Sequence, residues 1–441
     1  MSPSNLSHRR VVITGLGVVC PLGNSPSALW DALESGRSGV GALQRLPPLA
    51  GRVVYGGEVR QFIGTIDDFG PLSKGLKKSI RKALKVMCRE TMMAVAAAQQ
   101  AIADARFADS PMDPDRSGVV FGSDYMLSPP DDFVDGMKKC GASEGEFRFS
   151  QWGQDGLREM TPLWMLKFLP NMPGSHIAIL NDLRGPNNSL TLREISGTMA
   201  LREAMHTIQR GHADRMLAGA TGTRIHAFKT VHAIQTEQLA HPELEPTLAS
   251  RPFDRNRTGM VVGEGAGAVV LEEYETARAR GATIYGELVG TGSSAVADAR
   301  LEGRRDRALA NAARVALREA NIRADQLGHV SAHGLATTLS DAAEARAIGD
   351  VLGPHAANVP VVAAKSYFGN LGAASGIVEL AASTMALEKG RLFRTLNFET
   401  PDPQALVALT TDNDTPAGDS FLQLSVTPQA QAAALVVSRV D

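Results

Sequence analysis

Two residues of this 441-residue chain stand in settings that favour acid–base or nucleophilic chemistry. Glu194, in the segment TLREISGT, lies just ahead of a helix that we predict to start at Ser196. The positive end of a helix favours a carboxylate, which can act as a nucleophile toward an acyl group or as a general base. His333 lies in the segment SAHG, and the pKa of a free histidine lies close to neutral pH. A histidine taken alone, however, is more often structural than catalytic.

Other reactive or charged side chains give a weaker signal. The spacing of Cys20, Cys88 and Cys140 matches neither a metal site nor a disulfide framework, which indicates a reducing, cytoplasmic environment without disulfides. A basic run surrounds the start of an early helix and comprises Lys74, Lys77, Lys78, Arg81, Lys82, Lys85 and Arg89. Such a run is commonly a solvated helix face, but it can also attract an acidic partner. Because no aromatic interleaving accompanies it, we expect no nucleic-acid binding.

The bulk composition is that of an ordinary globular protein. Apolar residues make up 44% of the chain and charged residues 21%, with a formal net charge of -2. At 441 residues the chain exceeds the usual size of a single core, so we expect two joined lobes. The segment VVITGLGVV after Arg9 and Arg10 is β-branched and too short to cross a bilayer. We therefore predict a buried strand there, with no signal peptide and no membrane insertion.

Strand and helix patterns alternate along both halves of the chain, which predicts a layered α/β fold with largely parallel sheets. Residues 125–160 lack periodicity and are interpreted as a long excursion. A second half opens near residue 282, where ATIYGELVGTG repeats the strand-and-glycine pattern of RRVVITGLGVV. The predicted domains are therefore residues 1–281 and 282–441. We further predict strands at 117–123 and 215–220, helices at 28–35, 79–105 and 308–321, and two closing strands in LQLSV and AALVVSRV.

Six ordered blocks over nearly the whole chain resemble the β-ketoacyl-[acyl carrier protein] synthase family of the thiolase superfamily, in its elongating type. The glycine motif at residues 263–265 alone would be a weak signal, but six blocks in order are hard to obtain by chance. The blocks are RRVVITGLGVVCPLG (9–23), DLRGPNNSL (182–190), GHADRMLAGA (211–220), SRPFDRNRTGMVVGEGAGAVVLEEYETARARGATIYGELVG (250–290), SAHG (331–334) and KSYFGNLGAASGIVE (365–379).

The resemblance implies a thiolase-like five-layered fold of two duplicated halves. It also implies a homodimer, or a heterodimer with a paralogous ketosynthase. No bound cofactor is implied; instead, the phosphopantetheine arm of an acyl carrier protein would bring the acyl chain into a tunnel. The basic run would dock the acidic carrier protein, through Lys74, Lys77, Lys78, Arg81, Lys82 and Lys85.

The resemblance also assigns roles to the site residues, with departures from the family pattern. Glu194 stands where the family has its nucleophilic cysteine, and His333 matches the first family histidine. Asn370 replaces the second histidine; an amide can donate a hydrogen bond but cannot relay a proton. We expect Glu194 to be ionised and to lie within hydrogen-bonding reach of His333, directly or through one water. The helix end and a protonated His333 would both favour its carboxylate.

Four further positions complete the expected site. Lys365 and Glu379 match the family's polar network behind the site, where a purely structural buried pair is the simpler interpretation. Thr337 retains one of two hydroxyl groups that contact the pantetheine arm in the family. By gapless counting from the last strand, Pro428 falls on an oxyanion-hole donor, and proline has no N–H. Loss of such a donor costs about 2.7–4 kcal/mol of transition-state stabilisation.

Two functions remain open at this point. The first is an enzyme that handles carrier-bound acyl or malonyl thioesters by non-cysteine chemistry, such as decarboxylation, hydrolysis or proton abstraction. The second is a non-catalytic partner of an active ketosynthase, resembling a chain-length factor, in fatty-acid or polyketide-type biosynthesis. In the second case Glu194 would only pair with His333 and fill a dead site.

Overall fold

A computed structural model describes residues 9–46, 52–107 and 113–440 of the chain. The strands are β1 (Val11–Val19), β2 (Val40–Ala42), β3 (Tyr55–Gly57), β4 (Ser117–Ser123), β5 (Asn187–Leu190), β6 (Arg215–Thr223), β7 (Glu264–Glu273), β8 (Gly286–Ala295), β9 (His329–Ser331), β10 (Val361–Val362), β11 (Ser420–Val426) and β12 (Gln431–Ser438). The helices are α1 (Pro26–Ser35), α2 (Lys74–Ala83), α3 (Arg89–Asp104), α4 (Val134–Lys139), α5 (Met172–Asn181), α6 (Ser196–Gln209), α7 (Ala227–Thr236), α8 (Pro246–Ala249), α9 (Tyr274–Ala279), α10 (Arg305–Ala320), α11 (Thr338–Leu352), α12 (Lys365–Phe368) and α13 (Ser375–Lys389).

Ten of the strands form one sheet whose order is symmetric about its centre. The order is β10-β9-β11-β12-β8-β1-β7-β6-β4-β5, so reading outward from the centre gives β1, β7, β6, β4, β5 on one side and β8, β12, β11, β9, β10 on the other. The two halves join where Val12 and Ile13 pair with Glu287 and Gly286. This arrangement is the duplication that the two glycine-punctuated segments predicted, and β1 is the buried strand expected after Arg10.

The sheet is mixed, so the expectation of largely parallel sheets was wrong. Strands β4, β5 and β6 are parallel to one another, as are β9, β10 and β11. Strands β1, β7, β8 and β12 pair with their neighbours in antiparallel fashion. Strands β11 and β12 are antiparallel because only a short turn joins them, and two strands joined by a short turn must run in opposite directions.

Five layers result from the packing of helices on the two halves of the sheet. Helix α3 packs on β1 and β7, and α10 packs on β8 and β12. Helices α6 and α13 contact each other and strands of both halves, so they form the middle layer. Residues 375–387 of α13 are all buried, which explains why this helix is apolar on every side rather than amphipathic.

The early helical region differs from its prediction. The single helix expected at residues 79–105 is divided into α2, a short 3-10 turn at Leu84–Val86, and α3. Helix α2 begins earlier because the Ser73 side chain accepts a hydrogen bond from the Leu76 N–H and caps it. Met87 and Cys88 then adopt extended backbone conformations, which ends the helical run.

Three other features of the described ranges bear on the sequence-based expectations. The excursion at residues 125–160 contains α4 and several 3-10 turns but no strand. Across these ranges no helix combines the length and the apolar character needed to span a bilayer. The three cysteines are free and buried.

Candidate functional site

The site lies at one edge of the first half of the sheet. Strands β4 and β6 are parallel neighbours, with Ser123 opposite Thr221, so their carboxyl ends reach the same edge. Asp124 directly follows β4, and Arg224 directly follows β6. The 3-10 turn Arg193–Ile195 leads into α6 at this edge. The edge of a sheet at the carboxyl ends of parallel strands is the usual place for a ligand site.

Glu194 belongs to a buried cluster of charges centred on Arg224. The Arg224 guanidinium donates from Nη2 to Glu194 Oε1 at 2.6 Å and from Nη1 to Asp124 Oδ2 at 2.7 Å. All three residues are at most 3% exposed. Arg193 Nε lies 3.5 Å from Glu194 Oε2, and Asn370 Nδ2 lies 3.4 Å from Glu194 Oε1. Glu194 is therefore part of a compensated charge cluster rather than a free carboxylate.

The carboxyl group of Glu194 is ionised, as expected from the sequence, but for a different reason. Burial opposes its charge, and the positive charges of Arg224 and Arg193 outweigh burial, so the pKa of Glu194 is lowered to about 2. A protonated His333 contributes nothing, because burial and the nearby Lys365 lower the pKa of His333 well below 6.5. His333 is thus neutral at physiological pH, and the expected protonated partner of Glu194 was wrong.

Within the described residues, the hydrogen bond of Glu194 Oε1 goes to Arg224 and no direct one to His333 is formed, whereas a contact through one water stays a prediction. His333 instead belongs to a second buried network. Its backbone N–H donates to Glu344 Oε1 at 2.6 Å, and its carbonyl accepts from Lys365 Nζ at 2.7 Å. Lys365 Nζ also lies 3.3 Å from His333 Nδ1 and forms a buried ion pair with Glu379. Because the lysine only donates, Nδ1 is the acceptor and the proton of the neutral ring is on Nε2.

The amide of Asn370 is fixed in orientation between the two networks. Its Oδ1 accepts from the Gly372 N–H at 3.0 Å and from Ser375 Oγ at 3.2 Å. Its Nδ2 points toward Met260 Sδ at 3.0 Å and toward Glu194. Asn370 therefore presents donors, rather than a titratable group, to the Glu194 carboxylate.

Thr337 and Pro428 both form hydrogen bonds that stabilise the local structure. The Thr337 hydroxyl is buried and caps α11 by accepting from the Ser340 N–H at 3.2 Å. Pro428 lies in the turn at residues 427–430 between β11 and β12, where the Ala430 N–H donates to the Thr427 carbonyl at 3.0 Å. The Pro428 carbonyl accepts from Arg305 Nε and Nη2 at 3.2 and 3.1 Å. The assignment of these residues to an arm contact and a lost oxyanion donor stays a prediction.

The space around Glu194 is closed. It is lined by Tyr125, Arg193, Glu194, Arg224, Lys229, His232, Ala233, Glu237 and Met260. The gap among these side chains is too narrow to hold a water molecule. Lys229 is itself buried and paired with Glu90 at 2.6 Å. The residues around Glu194 are therefore mostly charged or polar and leave no room for a ligand.

The predicted docking residues lie on α2 and the turn that follows it. Lys74, Lys78, Arg81, Lys82 and Lys85 are exposed, and Lys77 is half-buried. None of these six residues forms an ion pair with another residue of the described ranges. Arg89 does not belong to this surface, because it pairs with the buried Glu264 at 2.6 Å and donates to the carbonyls of Phe62 and Val59. We call the six residues the α2 basic face.

Sequence reasoning missed Arg224, which binds Glu194, and Asp124, the second carboxylate that pairs with Arg224. Neither lies in a recognisable motif. The available signal was positional, since each follows a predicted buried strand at 117–123 or 215–220. Because parallel neighbours end at the same edge, the two side chains could have been placed beside the turn before α6.

The symmetric strand order, the five layers and the central helices together define a thiolase-like fold. The model of the β-ketoacyl synthase N-terminal domain matches residues 8–277, and that of the β-ketoacyl synthase C-terminal domain matches residues 285–399. The chain belongs to the β-ketoacyl synthase family. This confirms the resemblance drawn from the six sequence blocks.

Relatives and solved structures agree with this membership. The 3-oxoacyl-[acyl-carrier-protein] synthase 2 of Synechocystis sp. is 33% identical over 91% of this chain and 91% of its own length. The protein of the same name from Coxiella burnetii is 34% identical over 90% of each chain. A type II polyketide synthase ketosynthase, solved in complex with its acyl-carrier protein and bound to the hexaketide, shares 28% identity with a TM-score of 0.81 over 99% of this chain and 100% of that chain. The ishigamide ketosynthase/chain length factor shares 25% identity with a TM-score of 0.81 over 99% of this chain and 100% of that chain.

Proposed function

We propose that this chain is a non-condensing ketosynthase-like subunit that pairs with an active, cysteine-containing ketosynthase in carrier-dependent fatty-acid or polyketide-type synthesis. The role resembles that of a chain-length factor, which is part of the name of one similar solved structure. Of the two functions left open by the sequence, the geometry of the Glu194 cluster favours this one.

The observation that carries the proposal is the ion pair between Glu194 and Arg224. A nucleophile or a general base must have an accessible lone pair and a suitable pKa. The Glu194 carboxylate has its Oε1 bound at 2.6 Å by a guanidinium, and its pKa of about 2 makes it a weak base. The gap beside it does not admit water. These properties support a structural carboxylate.

The second network supports the same proposal. Condensation in this family needs two histidines, and here the second is the non-titrating Asn370. The oxyanion position, if Pro428 is correctly aligned, has no N–H to donate. A thiol, a proton relay and an oxyanion donor would therefore all be missing from one site.

Non-cysteine chemistry is the second candidate, and one observation favours it. His333 is neutral with its proton on Nε2, and the Asn370 amide also presents donors. Two such donors can polarise a thioester carbonyl and so assist loss of CO₂ from a malonyl group. Under this alternative the isolated chain turns over malonyl-carrier without any partner.

Carrier recognition is also part of the proposal. The α2 basic face has six cations without intramolecular ion pairs in the described ranges, which suits an acidic protein surface. One similar structure is a ketosynthase in complex with an acyl-carrier protein. The phosphopantetheine arm would then be a substrate carrier that the complex engages, with no cofactor held by this chain.

Reconstitution with a partner tests the proposal. The chain is co-expressed with a cysteine-containing ketosynthase from the same genome, and the pair is supplied with acyl- and malonyl-loaded carrier protein. We expect a 1:1 complex and release of β-ketoacyl product. Replacing the partner's cysteine should abolish the product and leave the complex intact. Failure of every such ketosynthase to co-purify, together with a monomeric chain in light scattering, would contradict the proposal.

A further inference from the structure

We infer that Arg224 and Asp124 are specificity-determining residues that exclude acyl chains from this subunit, so that removing them together reopens an acyl site beside position 194. This inference rests on the proposed function and deepens it, because it says why the subunit carries no substrate of its own. It concerns residues outside every motif that identified the family.

The topology fixes the place of the two residues. Asp124 and Arg224 leave the carboxyl ends of the parallel strands β4 and β6, and the turn before α6 brings Glu194 to the same edge. Arg224 therefore lies directly against position 194, with its Nη2 at 2.6 Å from the Glu194 carboxylate. Arg224 is 2% exposed, and its Nη1 and Nη2 each donate to one of the two carboxylates.

The cluster is tightly packed against the backbone of the second half. Asp124 Oδ2 accepts from the Ala373 N–H at 3.3 Å. A Cβ atom on Gly372 would lie 2.3 Å from Asp124 Oδ2 and 3.3 Å from Arg224 Cζ. Gly372 also has a φ of 63°, a conformation that favours glycine. The absence of a side chain at residue 372 thus makes room for the charges.

The charges make the edge unsuitable for an alkyl chain. An aliphatic chain offers no hydrogen bonds, so its entry would separate Arg224 from its carboxylates in a water-free space, at a high cost in free energy. The remaining lining residues are mostly charged or polar, and only Ala233 and Met260 are aliphatic; the others are Tyr125, Arg193, Lys229, His232 and Glu237. An acyl chain is accordingly rejected here and is held by the partner subunit.

A thiol introduced at residue 194 gives the test. The single variant Glu194→Cys is compared with the triple variant Asp124→Asn, Glu194→Cys, Arg224→Leu, each incubated with octanoyl-loaded acyl carrier protein and followed by intact mass. In the reaction the introduced thiolate attacks the thioester carbonyl, a new thioester bond forms, and the pantetheine sulfur leaves and takes up a proton. We expect the triple variant to be acylated at least tenfold faster.

A second measurement distinguishes exclusion of the acyl chain from a difference in the reactivity of the thiol. Both variants are alkylated with iodoacetamide across a pH series. Arg224 favours the thiolate, so the single variant should react at lower pH than the triple variant, although it is acylated more slowly by the octanoyl group. A structural role alone would not produce these opposite orders.

Three results would overturn the inference: equal acylation rates, faster acylation of the single variant, or no acylation of either. Circular dichroism and thermal melting establish that both variants are folded; should the triple variant unfold, Arg224→Met replaces Arg224→Leu in it. Because the isolated chain is measured, a negative result here leaves the co-purification test of the proposed function independent.

Discussion

The two halves of the sheet place different chemistry at equivalent edges. In the first half, Asp124 follows β4, Arg224 follows β6, and Glu194 precedes the central helix α6. In the second half, His333 follows β9, and the 3-10 turn Gly372–Ala374 precedes the central helix α13. The strand order shows that β4 corresponds to β9 and β6 to β11.

The difference lies in how each edge balances its buried polar groups. The first half does so with side-chain charges, since Arg224 is shared by two carboxylates. The second half also has a buried ion pair, between Lys365 and Glu379, but it places the neutral imidazole of His333 at its edge. Glu344 and Lys365 bind the backbone of His333. The first half therefore has a closed ion-pair cluster at its edge. Under the proposed function, a site that drew groups from both halves would be inactivated by this cluster alone.

The largest expected effect comes from removing the shared cation of the first half. Arg224→Leu removes the cation that Asp124 and Glu194 share and leaves Glu194 with only Arg193 at 3.5 Å. This should lower the free energy of unfolding by about 3–5 kcal/mol. Urea denaturation followed by circular dichroism gives this value. Arg116→Leu, at a partly exposed pair with Asp214, is the matched control and should cost at most about 1 kcal/mol. Equal losses in the two variants would contradict the assigned role.

The next effect is the acid sensitivity contributed by Glu194. Its folded pKa of about 2 is below its ordinary value of 4.5, so its stabilisation is present above pH 4.5 and lost as the pH falls toward 2. The shift corresponds to about 3 kcal/mol. Compared with Glu194→Gln, the wild-type chain should therefore lose stability more steeply between these pH values. Parallel stability curves for the two proteins would refute the ion-paired state.

The second half should respond to pH in the opposite direction. Burial raises the pKa of Glu344 to about 8, so its protonated form is favoured in the folded chain. Its contribution is fully present below pH 4.5 and is lost as the pH rises toward 8. Relative to Glu344→Gln, the wild-type chain should lose on the order of 3 kcal/mol between pH 5 and 8. If the wild-type chain instead gains stability relative to Glu344→Gln over this range, the two halves do not respond to pH in opposite directions and the prediction is wrong.

The smallest effect concerns the α2 basic face, which belongs to neither edge. Replacing Lys77, Lys78 and Lys82 by glutamate should weaken binding of acyl carrier protein about tenfold at low salt and much less at high salt. The variant with Lys138 and Lys139 replaced by glutamate, in the excursion, is the control. Titrations at two ionic strengths decide the matter: if both variants bind like the wild type, the α2 basic face is only a solvated surface.

The fold of this protein was more predictable from the sequence than the contacts within its candidate site. Blocks of glycine and β-branched residues indicated the duplicated α/β fold, and the substitution at Glu194 identified the divergent position. The contact with Arg224 was not predictable from local pattern, since it joins residues 30 positions apart on different elements. The protonation state of His333 was mispredicted for a related reason, because it depends on burial beside Lys365.

The predicted division at residues 281 and 282 stays a prediction. It falls between α9 and β8, and the strand order places β1 and β7 with the first half and β8 and β12 with the second. The dimer also stays a prediction. The short strand β5 ends the sheet and is partly exposed, and pairing there with a second subunit would be measured by light scattering.

The most direct test of the account is turnover by the isolated chain. Purified wild-type protein and its Glu194→Gln variant are incubated with malonyl- and acyl-loaded carrier protein, and the intact masses of protein and carriers are recorded over time. If Glu194 is a structural carboxylate held by Arg224, no carrier loses CO₂ or its acyl group, and the chain itself gains no mass. Loss of CO₂ or hydrolysis by the wild-type chain that the Glu194→Gln variant does not support would contradict the account.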